Sequence, residues 1–199
     1  INGIWHNWTW KEFGLEVRKM AFYLRSLGLP NNSKIALLSK NCAHWMMADM
    51  AIMMSGHISV PLYPNLNSET LAKILDHSEA KLLFVGKLDD YANMSSGVPS
   101  DMHCISFPFY TEDYPCWDNL VKDISPISEN IIREEQDLAT IIYTSGTTGD
   151  PKGVMHKFFN FSFATTNAIS ALDLKEESFF SYLPLCHIAE RLLVQMGSL

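Results

Sequence analysis

The length, composition and charge of the chain exclude several classes of protein. Of its 199 residues, 47% are hydrophobic and 12% are aromatic, as in a packed globular fold rather than a disordered chain. The formal net charge of −7 argues against a nucleic-acid-binding surface, because such a surface needs basic residues to neutralise phosphates.

The first predicted element is a helix that begins with a capping box. Thr9 and Glu12 have the spacing at which each side chain accepts a hydrogen bond from the backbone N–H of the other. Five apolar residues then follow the spacing of one buried helix face: Phe13, Val17, Met20, Ala21 and Leu24. Gly28 predicts the end of this helix, and the apolar run 35–38 predicts a short buried strand after it.

Two further helices flank an extended segment. Residues 43–55 predict a helix that ends at Gly56 and uses its methionines to fill the core. Residues 58–63 are expected to be extended, because Pro61 is incompatible with a helix interior. Ser68 predicts the N-cap of the third helix.

Short apolar runs predict three more strands, at 82–85, 104–107 and 139–143. The polar stretches 89–101 and 110–130, which contain proline and serine, predict surface connections. Helices that alternate with short buried strands predict an α/β fold, with α/β/α layers around a mainly parallel sheet.

Cysteine usage and hydropathy predict a cytoplasmic protein. The chain contains four scattered cysteines: Cys42, Cys104, Cys116 and Cys186. They form no CxxC pair, which favours free thiols in a reducing compartment. No signal segment is recognised, and the apolar stretch 45–54 is interrupted by Asp49 and too short to span a bilayer. Because the chain begins with Ile1 and ends at Leu199 within an apolar stretch, we expect it to be a piece of a longer protein.

The segment that carries chemistry is TSGTTGDPKG at 144–153, directly after the last predicted strand. Six small or hydroxylated residues in succession leave backbone N–H groups unshielded, so the loop can surround an anion. Lys152 adds a positive charge for phosphate oxygens. Composition alone leaves a surface turn as an alternative, since the same residue types are common in turns.

The loop departs from the P-loop of nucleoside triphosphatases at two positions. The interval from Gly146 to Lys152 fits G-x-x-x-x-G-K, but Pro151 stands where the second glycine belongs. Gly153 stands where a serine or threonine would bind magnesium. The sequence therefore predicts a phosphate-binding loop of a different class.

The string at 144–153 resembles the signature loop of the adenylate-forming superfamily, which includes acyl-CoA synthetases, luciferases and the adenylation domains of peptide synthetases. A second segment, LPLCHIAER at 183–191, resembles the L-P-L-x-H-x-x-E-R motif of long-chain acyl-CoA synthetases. A third, VPLYP at 60–64, is similar to a turn in the same enzymes. The three segments occur in family order, and the sequence is identified as a member of this superfamily.

The resemblance implies a two-step ligase that uses ATP, Mg²⁺ and CoA. The carboxylate of a fatty acid, expected to be long-chain, attacks the α-phosphate of ATP to give an acyl-adenylate and pyrophosphate. The thiol of CoA then displaces AMP. The resemblance assigns the β- and γ-phosphates to seven residues: Thr144, Ser145, Gly146, Thr147, Thr148, Gly149 and Lys152. It also assigns a magnesium ligand to Thr147.

The resemblance further implies catalytic roles for Lys152 and His187. His187 matches a family residue on the path between ATP and the acyl group, and a histidine that only packs or caps a helix is the alternative. Glu190 and Arg191 are expected to be structural, as a local ion pair that contributes little. Tyr143 is expected to pack beneath the loop rather than to contact nucleotide.

Several parts of such an enzyme are not found in the sequence. After Gly153 the family commonly has a T-H pair, whereas Phe158 stands at the histidine position and His156 two positions earlier. The adenine-binding aromatic-Gly-x-Thr-Glu segment, the ribose-binding Asp and the catalytic Lys of the C-terminal domain are not recognised. We therefore expect 1–199 to be part of the N-terminal AMP-binding domain, with its phosphate loop at 143–153, without the C-terminal domain and inactive alone.

Two other functions stay open on the sequence. An adenylate-forming enzyme with a different acceptor, luciferase-like or carrier-protein-loading, would share the loop, although the segment at 183–191 favours CoA. A non-catalytic nucleotide-binding module would share it too. The expected partners are fatty acid, ATP and CoA, with no nucleic acid. An apolar substrate is compatible with peripheral membrane contact, and an oligomer is compatible with the same sequence.

Overall fold

A computed structural model describes residues 6–110, 113–145, 150–173 and 178–198. Within these residues a 3₁₀ turn lies at Ser95–Gly97, and a π-type turn segment, Arg191–Met196, follows the last α-helix. The helices and strands in chain order are α1 (Trp10–Ser26), β1 (Lys34–Leu38), α2 (Ala43–Met54), β2 (Ile58–Leu62), α3 (Ser68–Ser78), β3 (Leu82–Val85), β4 (His103–Ser106), α4 (Trp117–Val121), β5 (Leu138–Ser145), β6 (Pro151–Lys157), α5 (Phe158–Leu172) and α6 (Ile188–Glu190).

The strands of the described residues form one sheet in the order β4-β3-β1-β2-β5-β6. Four of the five pairings are parallel, and only β5 and β6 run antiparallel. In the centre, Ile35 of β1 lies in register with Ser59 of β2 on one side and Leu82 of β3 on the other. The mainly parallel sheet predicted from the sequence is confirmed.

The side chains of the central strands alternate between two apolar cores. Ile35 and Leu37 pack with α1 and α2, whereas Ala36 and Leu38 pack with α3 on the opposite face. All four side chains are fully buried. A strand covered on both faces has no polar side, which explains why β1 is a continuous apolar run. The predicted α/β/α layers are confirmed.

The helix starts follow local capping chemistry. At α1 the backbone N–H of Glu12 donates to Thr9 Oγ1 at 3.2 Å, and that of Thr9 donates to Glu12 Oε2 at 2.8 Å, which confirms the capping box. At α3 the prediction was wrong by one residue. The N-cap is Asn67, whose Oδ1 accepts from the backbone N–H of Thr70 at 2.8 Å, and Ser68 is the first helical residue. Asn and Ser are equally good caps, so composition does not separate them.

The connections contain more structure than the sequence predicts. α4 lies inside the stretch 110–130, which the sequence predicts as a surface connection. Its Trp117 is nevertheless fully buried and contacts Phe107 edge-on, with the ring centroids 6.1 Å apart. The Trp117 indole N–H also donates to Glu16 on α1 at 3.2 Å. β4 begins and ends one residue before the predicted strand.

None of the described helices combines the length and apolar character that a membrane span requires.

Candidate functional site

The candidate site lies at the carboxyl ends of the parallel strands. α2, which follows β1, packs on one face of the sheet, and α3, which follows β2, packs on the other. Ligands of open α/β sheets bind outside the carboxyl ends of the strands, at the point where neighbouring connections diverge in this way. The residues that follow β1, β2 and β5 are therefore the candidates.

The base of the predicted phosphate loop is a β-hairpin. Thr144 pairs with Lys152, and Ser145 with Pro151, in the antiparallel pairing of β5 and β6. Three of the predicted binding residues are thus brought together. The first three and last three residues of the predicted loop 143–153 belong to the two strands. The remaining predicted binding residues lie outside the described part of the chain: Gly146, Thr147, Thr148 and Gly149.

A cavity of about 620 Å³ opens between α3 and the ends of β2 and β5. Leu62 and Tyr63 line it from the VPLYP segment, and Thr144 and Pro151 line it from the hairpin. Ile74 of α3 supplies part of the apolar wall. Two of the three segments that carry the resemblance therefore border one cavity.

Tyr143 and Gly153 form the next pair of the hairpin, and Tyr143 also lines the cavity. Tyr143 is 5% exposed, its hydroxyl lies 2.7 Å from His77 Nδ1, and burial raises its pKa above the ordinary value. A Cβ on Gly153 would lie 2.7 Å from Ile141 Cγ2 and 3.3 Å from the Tyr143 ring. Gly153 is therefore explained by the close approach of β6 to β5, which the comparison with a P-loop did not reveal.

His187 is exposed at the start of α6, while the two residues before it are buried. Leu185 and Cys186 are 2% and 1% exposed in the core beside α2. The Nδ1 atom of His187 accepts a hydrogen bond from the backbone N–H of Ala189 at 3.2 Å. The neutral imidazole therefore carries its proton on Nε2. His187 does cap a helix, as the alternative interpretation held, and the cap leaves the Nε2–H to donate elsewhere.

The segment that contains His187 lies beside the cavity. Tyr63, which lines the cavity, packs against the core cluster that contains Leu185 and Cys186, and burial raises its pKa above the ordinary value. Burial also raises the pKa of Cys186 to about 12, so this thiol stays protonated and serves as an apolar side chain rather than as a nucleophile. The structure therefore brings the third recognised segment to the same edge of the sheet.

A buried polar cluster lies under this edge, and the sequence did not predict it. The expected local ion pair of Glu190 with Arg191 is wrong: the Arg191 guanidinium binds Asp49 of α2, with Nη2–Oδ1 at 2.5 Å and Nε–Oδ2 at 3.1 Å. Both side chains are fully buried. Asp49 also accepts from Ser59 Oγ at 2.6 Å and from Gln195 Nε2 at 2.9 Å.

The same cluster reaches β5, the strand that leads into the predicted phosphate loop. Arg191 Nη1 donates to Thr140 Oγ1 on β5 at 2.7 Å, and Thr140 Oγ1 donates to the carbonyl of Ser59 at 2.8 Å. The guanidinium also lies 5.1 Å from the centre of the Phe161 ring. Asp49 in the otherwise apolar stretch 45–54 was the available signal, because an Asp at such a position is buried only with a partner.

In the described ranges no three His, Cys, Asp or Glu side chains converge on one point. The proposed magnesium ligand, Thr147, lies outside those ranges. The Lys152 ammonium is a donor without acceptor capacity, which suits phosphate oxygens rather than a cation.

Comparison with known proteins gives a family match over the whole chain. Residues 1–199 match the family described as AMP-binding enzyme. The chain is 30% identical over 209 residues to long chain acyl-CoA synthetase 4 of Arabidopsis thaliana, a match that covers 93% of this chain and 31% of that protein. The chain therefore spans about a third of the length of the curated relatives it matches.

Solved structures give the same fold. The inhibitor-bound N-terminal domain of FACL13 from Mycobacterium tuberculosis superimposes with a TM-score of 0.81 at 22% identity, over 96% of this chain and 48% of that one. O-succinylbenzoate coenzyme A synthetase (MenE) from Bacillus subtilis, in complex with ATP and magnesium ion, superimposes with a TM-score of 0.77 at 23% identity, over 97% and 48%. At these identities the likeness concerns the fold.

Proposed function

This chain belongs to the AMP-binding enzyme family, and we propose that the full-length protein containing it activates a fatty acid as its CoA thioester. In the first step a carboxylate oxygen attacks the α-phosphorus of ATP, and the bond to the bridging oxygen breaks to release pyrophosphate. In the second step the CoA sulfur attacks the acyl carbonyl and AMP leaves. In this proposal residues 1–199 form part of the N-terminal AMP-binding domain.

The observation that carries the proposal is the hairpin at the carboxyl edge of the sheet, in which Lys152 lies opposite Thr144. An ammonium and hydroxyl groups at the mouth of a loop rich in glycine and threonine suit the β- and γ-phosphates, whose charge grows as pyrophosphate leaves. The ATP and magnesium ion named for the Bacillus subtilis neighbour support the same assignment. Thr147 is the proposed magnesium ligand within the loop.

His187 is proposed to act on the acyl side of the reaction. Its Nδ1 is engaged in the cap, so the neutral side chain offers an Nε2–H donor from a fixed ring orientation. A donor of this kind can orient a carboxylate or stabilise its developing charge. The LPLCHIAER segment, and relatives named as long-chain enzymes, favour a long-chain fatty acid as substrate.

The proposed cellular setting is the cytoplasm, with contact at membrane surfaces. The free cysteines of the described residues suit a reducing cytoplasm, and an apolar acyl chain suits an enzyme that meets membranes at their surface.

CoA as the acceptor is favoured over a luciferase-like or carrier-protein acceptor, because the relatives at about 30% identity are named as CoA ligases and synthetases.

Release of AMP by the full-length protein tests the proposal. With ATP, Mg²⁺ and palmitate, AMP release should rise when CoA is added. An equal rate without CoA would favour a different acceptor, and binding of ATP with no AMP release would favour a non-catalytic module.

Replacement of Lys152 tests the role of the loop. Lys152→Ala should lower the rate of AMP release about 10- to 100-fold, as expected for loss of a hydrogen bond to a charged group. The matched control is Lys157→Ala at the other end of β6, whose ammonium donates to Gln136 at 2.8 Å, away from the hairpin end. A folded Lys152→Ala enzyme with wild-type kinetics would contradict the assigned role.

A further inference from the structure

The segment before His187 is held by one side chain at the end of β1. Asn41 Nδ2 donates to the carbonyl of Leu183 and to Ser181 Oγ, each at 2.7 Å. Asn41 Oδ1 accepts from the backbone N–H of Leu185 at 2.9 Å. Both donors and the acceptor of one amide therefore bind a stretch that lies more than a hundred residues later in the chain.

The segment after His187 is held by the buried cluster. Asp49, on the helix that begins shortly after Asn41, binds the guanidinium of Arg191 through two hydrogen bonds. Arg191 in turn donates to Thr140, four residues before the loop residue Thr144 on the same strand. The end of the segment is thus connected directly to the strand that carries the phosphate loop.

His187 lies between these two anchors. The order β1-β2-β5 places the ends of β1 and β5 two strand spacings apart, about 10 Å. The burial of Leu185 and Cys186 restricts the backbone further, while His187 itself is exposed. The orientation of its Nε2–H relative to the hairpin is consequently determined by residues outside the recognised segments.

We propose that Asn41 is a positioning residue for the reaction: it fixes the His187 segment at the carboxyl edge of the sheet, with Asp49 anchoring the opposite end. The proposal rests on the function proposed above. Asn41 touches neither substrate nor phosphate in this assignment and acts through His187. A displacement of a reacting group by about 1 Å can lower a rate about 100-fold, so a loosened segment should affect kcat rather than ATP binding.

The test uses the full-length protein and three variants: Asn41→Ala, Asn41→Asp and Asn93→Ala. Asn41→Ala removes all three hydrogen bonds, whereas Asn41→Asp keeps the acceptor for Leu185 and loses the two donors. Asn93 is the matched control, since it is exposed in the connection between β3 and β4 and its hydrogen bonds within the described residues are to the nearby Asp90.

We expect Asn41→Ala to lower kcat for adenylation about 10- to 100-fold with the KM for ATP within about twofold of wild type. The kcat of Asn41→Asp should lie between those of Asn41→Ala and wild type, and the kcat of Asn93→Ala should match wild type. In hydrogen exchange, the amides of 181–191 should exchange about tenfold faster in Asn41→Ala, as expected for lost hydrogen bonds. Unchanged exchange there, or equal effects of the Asn93 variant, would overturn the proposal.

A double-mutant cycle separates positioning from general destabilisation. If Asn41 acts through His187, then Asn41→Ala in a His187→Ala background should lower kcat by less than about threefold further. Additive losses would overturn the proposal. Failure of the proposed function is distinguishable, because a wild-type protein inactive with every acid refutes adenylation, whereas an active wild type with an equally active Asn41→Ala variant refutes the positioning role alone.

Discussion

Replacement of Asp49 by alanine removes the common acceptor of the buried cluster. Asp49 accepts four hydrogen bonds, from Ser59, Gln195 and twice from Arg191, and has no exposed surface. Loss of one partner of a buried ion pair costs about 3–5 kcal/mol, because the remaining charge stays desolvated. Because 96% of this chain covers 48% of the FACL13 N-terminal domain, we expect a folding unit of roughly 400 residues, for which the corresponding fall in Tm is about 4–6 °C.

The assay is thermal unfolding of the full-length protein, followed by circular dichroism. Asp49→Ala is compared with Asp101→Ala, which removes an exposed carboxylate and should leave Tm within about 2 °C of wild type. The double variant Asp49→Leu with Arg191→Met removes both charges and should lose less stability than Asp49→Ala. Wild-type Tm for Asp49→Ala, or a double variant less stable than that single variant, would refute the reasoning.

Two further predictions concern stability. Burial lowers the pKa of His44 from 6.5 to about 4, so the unfolded chain takes up the proton first as the pH falls. The contribution of the neutral, buried His44 to the free energy of unfolding, on the order of 3 kcal/mol, is complete above pH 6.5 and is lost towards pH 4. Urea titrations at several pH values should show this fall in the free energy of unfolding. A His44→Phe variant with the same pH dependence would contradict the assignment. Gly153→Ala places a Cβ 2.7 Å from Ile141 and should destabilise by about 1–3 kcal/mol. Gly14→Ala, in open space on α1, should stabilise by about 0.5–1 kcal/mol, and a reversed order of the two glycine variants in urea unfolding would show that the packing account is wrong.

The sequence predicted the elements that local chemistry determines. The capping box of Thr9, the helical spacing of α1 and the apolar runs of β1 and β3 each contain their own signal, and each is confirmed. β6 was not predicted, because its side chains do not alternate: Val154 and Met155 are 44% and 69% exposed on consecutive positions. Its conformation is determined by pairing with β5, which is not visible in a local pattern.

The same distinction applies to the candidate site. The predicted loop and the His187 segment are visible as short strings of residues, and the hairpin brings Thr144, Ser145 and Lys152 together. Asn41 was missed because its partners lie about 140 positions later in the chain. Arg191 was paired with its sequence neighbour, whereas its partner is distant in sequence and adjacent only through the packing of α2.

The central claim is adenylation of a fatty acid, and exchange of labelled pyrophosphate into ATP measures it most directly. The full-length protein is incubated with ATP, Mg²⁺, labelled pyrophosphate and one carboxylic acid from a series between acetate and palmitate. The account predicts exchange that depends on the acid and is fastest with long chains. A folded protein that binds ATP and shows no exchange with any acid would contradict it.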